Sequence, residues 1–264
     1  MTDCKTFPFL LGTTSYIIPD DIIPNARFLA PLVDDIELVL FESPDISNIP
    51  SEDDVCTLAE IAGQNSSGYT VHLPIDRKAG SEKTSDRELF CDSAKRIIDR
   101  CTLLNPRAWV LHLEGIDASA DISDVAAWRE RCCKVIEKIL SAVDDPSTVA
   151  VENLGYPWEW HKELVEKYRM SCCCDVGHLW LYAHHNWKEH LKTMLPGTKV
   201  IHLHGVKEKK DHISLEAGDM SRIQSFFNII KSEGYDGVIT LEIFNESDFN
   251  GSVEVVESIW DQLH

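Results

Sequence analysis

Cys172-Cys173-Cys174-Asp175-Val176-Gly177-His178 joins a short apolar run to a carboxylate, with an imidazole three residues further on. A carboxylate and a neutral imidazole leaving one strand end can grip the same divalent cation. Gly177 is expected to let the backbone turn sharply between them. The spacing D-x-x-H is common by chance, and its weight here comes from recurrence. Val71-His72, Leu111-His112, Val151-Glu152, Ile201-His202 and Leu241-Glu242 each place a metal-competent residue at the end of an apolar, strand-like run. Buried polar groups of this kind are costly unless paired or metal-bound, so the recurrence points to at least one bound metal. Imidazole and carboxylate together suit a divalent ion without any thiolate. Zinc is the expected ion, with manganese, iron or cobalt as the others.

The elements that must position these residues alternate along the chain. Strands are expected at Phe9 to Gly12, Ile36 to Glu42, Tyr69 to His72, Ala108 to His112, Thr148 to Val151, Ser171 to Cys174, Lys199 to His204 and Gly237 to Leu241. Helices are expected from Asp20 to about Val33, from Ser51 to Gly63, and over Ser85 to Leu104, Ser123 to Val143 and Pro157 to Tyr168. Three more are expected over Trp180 to Met194, Ser221 to Glu233 and Val253 to Leu263. Ser51 followed by Glu52, Asp53 and Asp54 reads as a capped helix start whose acids suit the positive end of the helix dipole. The strands are nearly continuous in apolar character, as buried parallel strands are. Eight of them alternating with eight helices predict a single (β/α)8 TIM barrel over residues 1–264. A doubly wound open sheet is the structural alternative, but it would not gather so many ligands at one point. In a barrel the C-terminal strand ends converge on one mouth.

Composition bounds the function. The chain has 264 residues, 44% of them hydrophobic, and a formal net charge of −19. A field of that sign repels nucleic-acid phosphates, so duplex nucleic acid is not an expected partner. No run approaches the roughly 20 apolar residues of a membrane span. Met1 to Lys5 lacks the charged-then-apolar form of a signal peptide. Nine cysteines, an odd number, with no export signal read as reduced, mostly buried thiols. A cytoplasmic protein acting on a small molecule is expected, and the oligomeric state is left open.

The residues expected at the mouth are His72, His112, Glu152, Asp175, His178, His202, His204, His212 and Glu242. His202 and His204 share one side of a strand by its period of two, so His204 could be a ligand, a support for one, or a substrate contact. His184 and His185 fall in a predicted helix beside aromatic residues and read as partly exposed, without chemistry. The loop Val206-Lys207-Glu208-Lys209-Lys210-Asp211-His212 puts Lys207, Lys209 and Lys210 close to the site. They read either as an anion clamp, which Arg77 and Lys78 could join, or as a solvated loop. Tyr156, Trp158, Trp160, Trp180 and Tyr182 flank Glu152 and His178, where aromatics either stack on a flat ligand or pack the loops.

His72-Leu73-Pro74, Glu152-Asn153-Leu154-Gly155, Cys174-Asp175-Val176-Gly177-His178, His202-Leu203-His204 and Leu241-Glu242 resemble the xylose-isomerase-like barrel superfamily, which includes endonuclease IV. The resemblance covers nearly the whole chain. It implies a metal set of Glu152, Asp175, His202 and Glu242, and the endonuclease branch adds His72, His112, His178 and His212. Sugar isomerases and epimerases of the superfamily usually lack the strand-end pair that His72 and His112 match. The pattern departs at Lys210, where the endonuclease branch has an aspartate and where Asp211 is displaced by one, so one or two metals fit as well as three. A narrower resemblance runs from Gly12 through Thr13-Thr14-Ser15-Tyr16 to Asn25, and again over Val33 to Leu38. It is similar to the cobamide-remodelling phosphodiesterases (the CbiR family), which open the nucleotide loop of B12-like cofactors.

Together these readings give an expected function and its rivals. The first is a metal-dependent phosphodiester hydrolase acting on a cobamide, a small-molecule corrinoid. Glu152, Glu242 and His178 would be its catalytic residues. Lys207, Lys209, Lys210, His204, Trp158 and Trp180 would contact the substrate. The second is a divalent-metal sugar isomerase or epimerase, with Glu152 and Glu242 as an acid/base pair. A metal-free binding barrel is the third, and it has no use for six convergent metal-type residues.

Overall fold

The computed structural model describes residues 7–43, 45–182 and 186–263. His184 and His185 lie outside the described residues. In chain order the strands are β1 (Leu10–Thr14), β2 (Asp35–Val39), β3 (Gly68–His72), β4 (Trp109–Leu111) and β5 (Val149–Glu152), followed by β6 (Ser171–Asp175), β7 (Thr198–Leu203), β8 (Gly205–Lys207), β9 (Lys210–Ile213) and β10 (Val238–Leu241). Eight of them close into a parallel barrel in the order β1-β10-β7-β6-β5-β4-β3-β2, the expected (β/α)8 architecture. β8 and β9 form a separate antiparallel pair, so the stretch read as a lysine loop is a short hairpin.

The helices are α1 (Ile22–Leu29), α2 (Glu52–Asn65), α3 (Thr84–Cys101), α4 (Ile122–Leu140), α5 (Glu159–Tyr168), α6 (Val176–Tyr182), α7 (Trp187–Met194), α8 (Met220–Glu233) and α9 (Glu246–Gln262). Their starts follow the caps. The Ser51 hydroxyl accepts from the Asp54 N–H while the Asp54 carboxylate accepts from the Ser51 N–H, a reciprocal capping box. Asn245 caps α9 by accepting from the Asp248 N–H, which starts that helix seven residues before the Val253 expected from its apolar spacing. The other displaced start matters more. α6 begins directly after β6 with no loop, four residues before the expected Trp180. Among the described residues, no helix is long and apolar enough to cross a membrane.

The core has two parts. Ala108, Val110, Ala150, Cys173, Val200 and Val238 form a small cluster of their own. A much larger apolar layer, including Leu11, Leu38, Val71, Leu111, Val151, Cys172, Cys174, Ile201 and Leu241, packs with helix residues such as Phe90, Trp128 and Phe226. The alternation along β6 is plain, because Cys172 and Cys174 join the large layer and Cys173 the small cluster. The cysteines among the described residues are free, as expected.

The segment between β1 and α1 is held by one side chain. Asn25 is fully buried, and its Oδ1 accepts from the N–H groups of Ile17 and Ile18, both at 2.9 Å. Its Nδ2 donates to the carbonyls of Ile18, Asp20 and Asp21. Replacing Asn25 by Ala would strand several buried backbone groups at about 1–3 kcal/mol each before relaxation. Asn25→Ala is therefore expected to lower unfolding stability by about 2–3 kcal/mol in urea titrations. A variant as stable as the parent would show that this side chain does not hold the segment.

Candidate metal centre

The strand ends deliver the expected residues to one mouth. His72, Glu152 and Asp175 are the last residues of β3, β5 and β6, and His202 is the penultimate residue of β7. His112 and Glu242 each follow the last residue of β4 and β10. Three of these residues make a first group. Nε2 of His72 lies 3.2 Å from Nε2 of His112, which is 2.9 Å from Oε2 of Glu152. Nδ1 of His72 faces the Leu73 carbonyl at 2.8 Å. As the donor there it leaves Nε2 with the lone pair a metal needs.

Glu152 also belongs to a second group. Its Oε2 is 3.3 Å from Nδ1 of His202, and that nitrogen is 3.2 Å from Oε2 of Glu242. Asp175, His202 and Glu242 bring donor atoms within 4.8 Å of one another, and so do Glu152, Asp175 and His178. Nδ1 of His202 and Oε2 of Glu242 are both buried and neither makes a hydrogen bond. Buried polar atoms are nearly always partnered, and two orphaned donor atoms facing one another are what a cation between them would satisfy. The oxygen and nitrogen donors of this set suit a divalent metal, and Glu152 is shared between the two groups.

Electrostatics favours positive charge at this point. Burial works to raise the Glu152 carboxyl, but His112 and His202 outweigh it and hold the group well below the usual carboxylate range. For Glu242 burial is likewise outweighed, chiefly by His202, and the carboxyl is held down. His112 is the converse. Burial alone would lower it, yet Glu152 and Glu114 push it up to about 10.

Asp175 is held from several sides. Its Oδ1 accepts from the His178 N–H at 2.6 Å, so the carboxylate also serves the first turn of α6. Asn153 clamps its backbone, donating to the Asp175 carbonyl at 2.9 Å and accepting from the Asp175 N–H at 2.8 Å. Nε2 of His204 faces both carboxylate oxygens at 3.3 Å. Nδ1 of His204 accepts from the His212 N–H at 3.0 Å. Both ring nitrogens of His204 are thus engaged and the side chain is fully buried, which removes it from the expected substrate contacts. Its role is to orient Asp175 and tie down the hairpin. Gly177 is helical rather than a sharp turn, and it contributes space. A Cβ there would lie 2.0 Å from Cε1 of His204. His212 adopts a left-handed φ of 48°, a conformation sparsely used by non-glycine residues that directs its N–H to His204.

Above the groups lies a cavity of about 940 Å³, lined among others by His112, Glu152, His178, His212 and Glu242. The expected aromatic platforms are elsewhere. Trp158 is 8% exposed and packs edge-on to His161, and Trp180 is 3% exposed and packs edge-on to Trp187. Large aromatic area is better removed from water than presented to it, and these two rings serve the core. Tyr182, 52% exposed, lines the cavity, and Phe244, 44% exposed, lies with its ring 5.6 Å from that of His212. Lys207, Lys209 and Lys210 are exposed on the hairpin and outside the cavity lining, where Lys78 and Lys83 stand instead. Glu37 and Lys83 were not singled out by sequence reasoning, and Asn153 entered it only as part of the Glu152-Asn153-Leu154-Gly155 motif. A carboxylate between Ile36 and Leu38 in an apolar strand was the signal for the first.

A search of curated proteins returns no match. Solved structures similar to this chain include a D-tagatose 3-epimerase-like protein at 19% identity and a TM-score of 0.80, covering 96% of this chain and 98% of that one. A 3-keto-D-glucoside 4-epimerase from E. coli follows at 12% identity and 0.73, covering 95% and 98%. A D-psicose 3-epimerase solved in the presence of D-fructose is 14% identical at 0.66, covering 97% of each chain. The profile of the xylose isomerase-like TIM barrel matches residues 33–260, which hold β2 to β10 and every donor residue of the two groups. By that match, the chain belongs to the xylose isomerase-like TIM barrel family.

Proposed function

We propose that the protein is a divalent-metal-dependent phosphodiester hydrolase and that it opens the nucleotide loop of a cobamide. The observation that carries the hydrolase reading is the group of His72, His112 and Glu152, set against a second group through Glu152. Two cations sharing one carboxylate suit a phosphodiester, because they can stabilise both the attacking and the leaving oxygen. When bound, the metal lowers the pKa of a water to near neutrality and polarises the phosphoryl oxygens. Zinc fits the donor set best, and manganese, iron and cobalt also fit. An epimerase needs one cation and a carboxylate pair, and leaves His72 and His112 without a task.

The chain's own residues would divide the work. Glu152 and Glu242 would hold the cations, and Glu242, which is not shared between them, would take the proton of the attacking water. His178, with Nδ1 facing the Asn153 carbonyl at 3.0 Å, keeps Nε2 for proton transfer at the cavity wall. Lys78 and Lys83 meet phosphate charge there. Tyr182 and Phe244 offer the apolar faces that a corrin or a lower base would cover. What supports the cobamide as substrate is the similarity of Gly12 to Asn25 to the cobamide-remodelling phosphodiesterases. The size of the cavity adds to it, lying at the upper end of small-molecule sites. The net charge of −19 disfavours duplex DNA.

A second reading, a ketose epimerase, is favoured by one arrangement. Glu152 and Glu242 both reach Nδ1 of His202 and so stand as a carboxylate pair across one donor. The similar solved structures are mostly sugar epimerases, and the cavity wall carries Glu82, Asp86, Glu114 and Asp117, which accept hydroxyl hydrogen bonds.

The two readings part in one assay. Zinc-loaded protein incubated with a panel of cobamides is expected to release a cobinamide-type corrinoid, seen by chromatography, and to leave abasic DNA intact at physiological salt. Untouched cobamides with turnover of a ketose would establish the second reading instead. Glu152→Gln, which replaces a shared anionic ligand by a neutral amide, is expected to lower turnover by more than about 100-fold, since outer-shell partners alone are worth 10–100-fold. Its far-UV circular dichroism should stay unchanged, and full activity would remove Glu152 from the site. Lys78→Ala and Lys83→Ala should raise KM for the phosphodiester while shifting stability by less than about 0.5 kcal/mol, as surface changes do. Unchanged kinetics in both would leave the cavity without its anion contacts.

A further inference from the structure

Two buried carboxylates on β2 belong to neither donor group: Asp35, which pairs with Arg107 at 3.0 Å, and Glu37. Glu37 is fully buried in the middle of β2, between Ile36 and Leu38. Its neighbours in register are Thr14 on β1 and Thr70 on β3, so strand pairing brings it no cationic partner. A carboxylate in such a place is costly unless it is hydrogen-bonded. Its partner comes from the other side of β1 and β10. Oε2 of Glu37 accepts from Nε2 of His202 at 2.9 Å, and His202 is as fully buried.

This contact decides which ring nitrogen of His202 is available. A neutral imidazole has one N–H and one lone pair. With the proton on Nε2 and pointed at Glu37, the lone pair sits on Nδ1. That nitrogen is 3.3 Å from Glu152 and 3.2 Å from Glu242, and it makes no hydrogen bond. The opposite tautomer would aim an N–H at the point where the metal donors converge and leave two bare acceptors, Nε2 and Oε2, against each other.

We infer that Glu37 is a positioning residue of the metal centre, holding the His202 ring in the tautomer that turns Nδ1 to the metal. Metal-ligating histidines commonly donate their other N–H to a carboxylate, and that partner raises ligand basicity and fixes ring orientation. The inference rests on the metal-centre reading and extends it to a side chain that touches neither metal nor substrate. It also accounts for a buried carboxylate that, unlike Asp35 two residues earlier on β2 with its Arg107 partner, has no arginine or lysine beside it.

The test is a zinc titration in competition with a chromophoric chelator, using wild-type protein, Glu37→Gln and Glu37→Asp after dialysis against chelator. A glutamine amide can donate to Nε2 and so drive the ring proton onto Nδ1. Glu37→Gln is expected to bind zinc about 10–100-fold more weakly, the usual cost of losing an outer-shell partner. Its melting temperature without zinc should match wild type, while the rise on adding zinc shrinks. Glu37→Asp keeps the charge with a shorter reach and should lose less affinity; it carries the test if the glutamine variant does not fold. Wild type that binds zinc alongside variants that bind it equally well would overturn the role of Glu37 alone. Variants that melt lower without zinc yet keep full affinity would overturn it too, in favour of a packing role. Wild type that binds no zinc would overturn the metal-centre reading and this inference with it.

Discussion

The mouth of this barrel depends on one constraint. Ionised carboxylates buried at the end of an apolar barrel must be neutralised where they stand, because burial strips them of most of their hydration. Glu152, at 1% exposure, is the point where this is most acute, and the side chains of His72, His112, His178 and His202 all turn to it. The spacing of the strand ends, the start of α6 at Val176 and the position of the hairpin all serve to bring cations or hydrogen-bond donors to these carboxylates. A divalent ion held here would complete the same neutralisation with a charge that no side chain could place so centrally.

A second layer makes the arrangement rigid. Asn153 fixes the backbone of Asp175, His204 holds its carboxylate, and the His212 N–H fixes the ring of His204. Glu37 does for His202 what His204 does for Asp175. Asp175, His202 and His72 are thus each backed by a hydrogen bond, which is how a site keeps the geometry its chemistry needs. The missing side chain of Gly177 belongs to the same design, since any Cβ there would displace the ring of His204.

Much of this was legible in the chain, for a physical reason. Parallel barrel strands are buried on both faces and read as apolar runs, so a polar residue closing each run marks the mouth. The barrel and the strand-end donors followed from that pattern. What escaped was set by tertiary contact rather than local pattern. The seam between β6 and α6 has no turn residues because Asp175 both closes the strand and caps the helix. The lysine stretch became a hairpin because β8 and β9 pair with each other, and its charges stay in solvent. Trp158 and Trp180 looked like platforms for a flat ligand, but only burial distinguishes a platform from a wedge, and burial is not written in a single sequence. Glu37 was visible as a carboxylate in an apolar strand, while its partner 165 residues away was not.

The central claim is that two cations share Glu152, and it can be read directly. Crystals of protein purified without chelator, measured above and below the absorption edge of the metal they contain, should show two anomalous peaks. One should lie within coordination distance of His72, His112 and Glu152, and the other within reach of Glu152, Asp175, His202 and Glu242. A single peak at the second position, with nothing beside His72 and His112 at saturating metal, would contradict the account and leave the one-metal chemistry of an epimerase in its place.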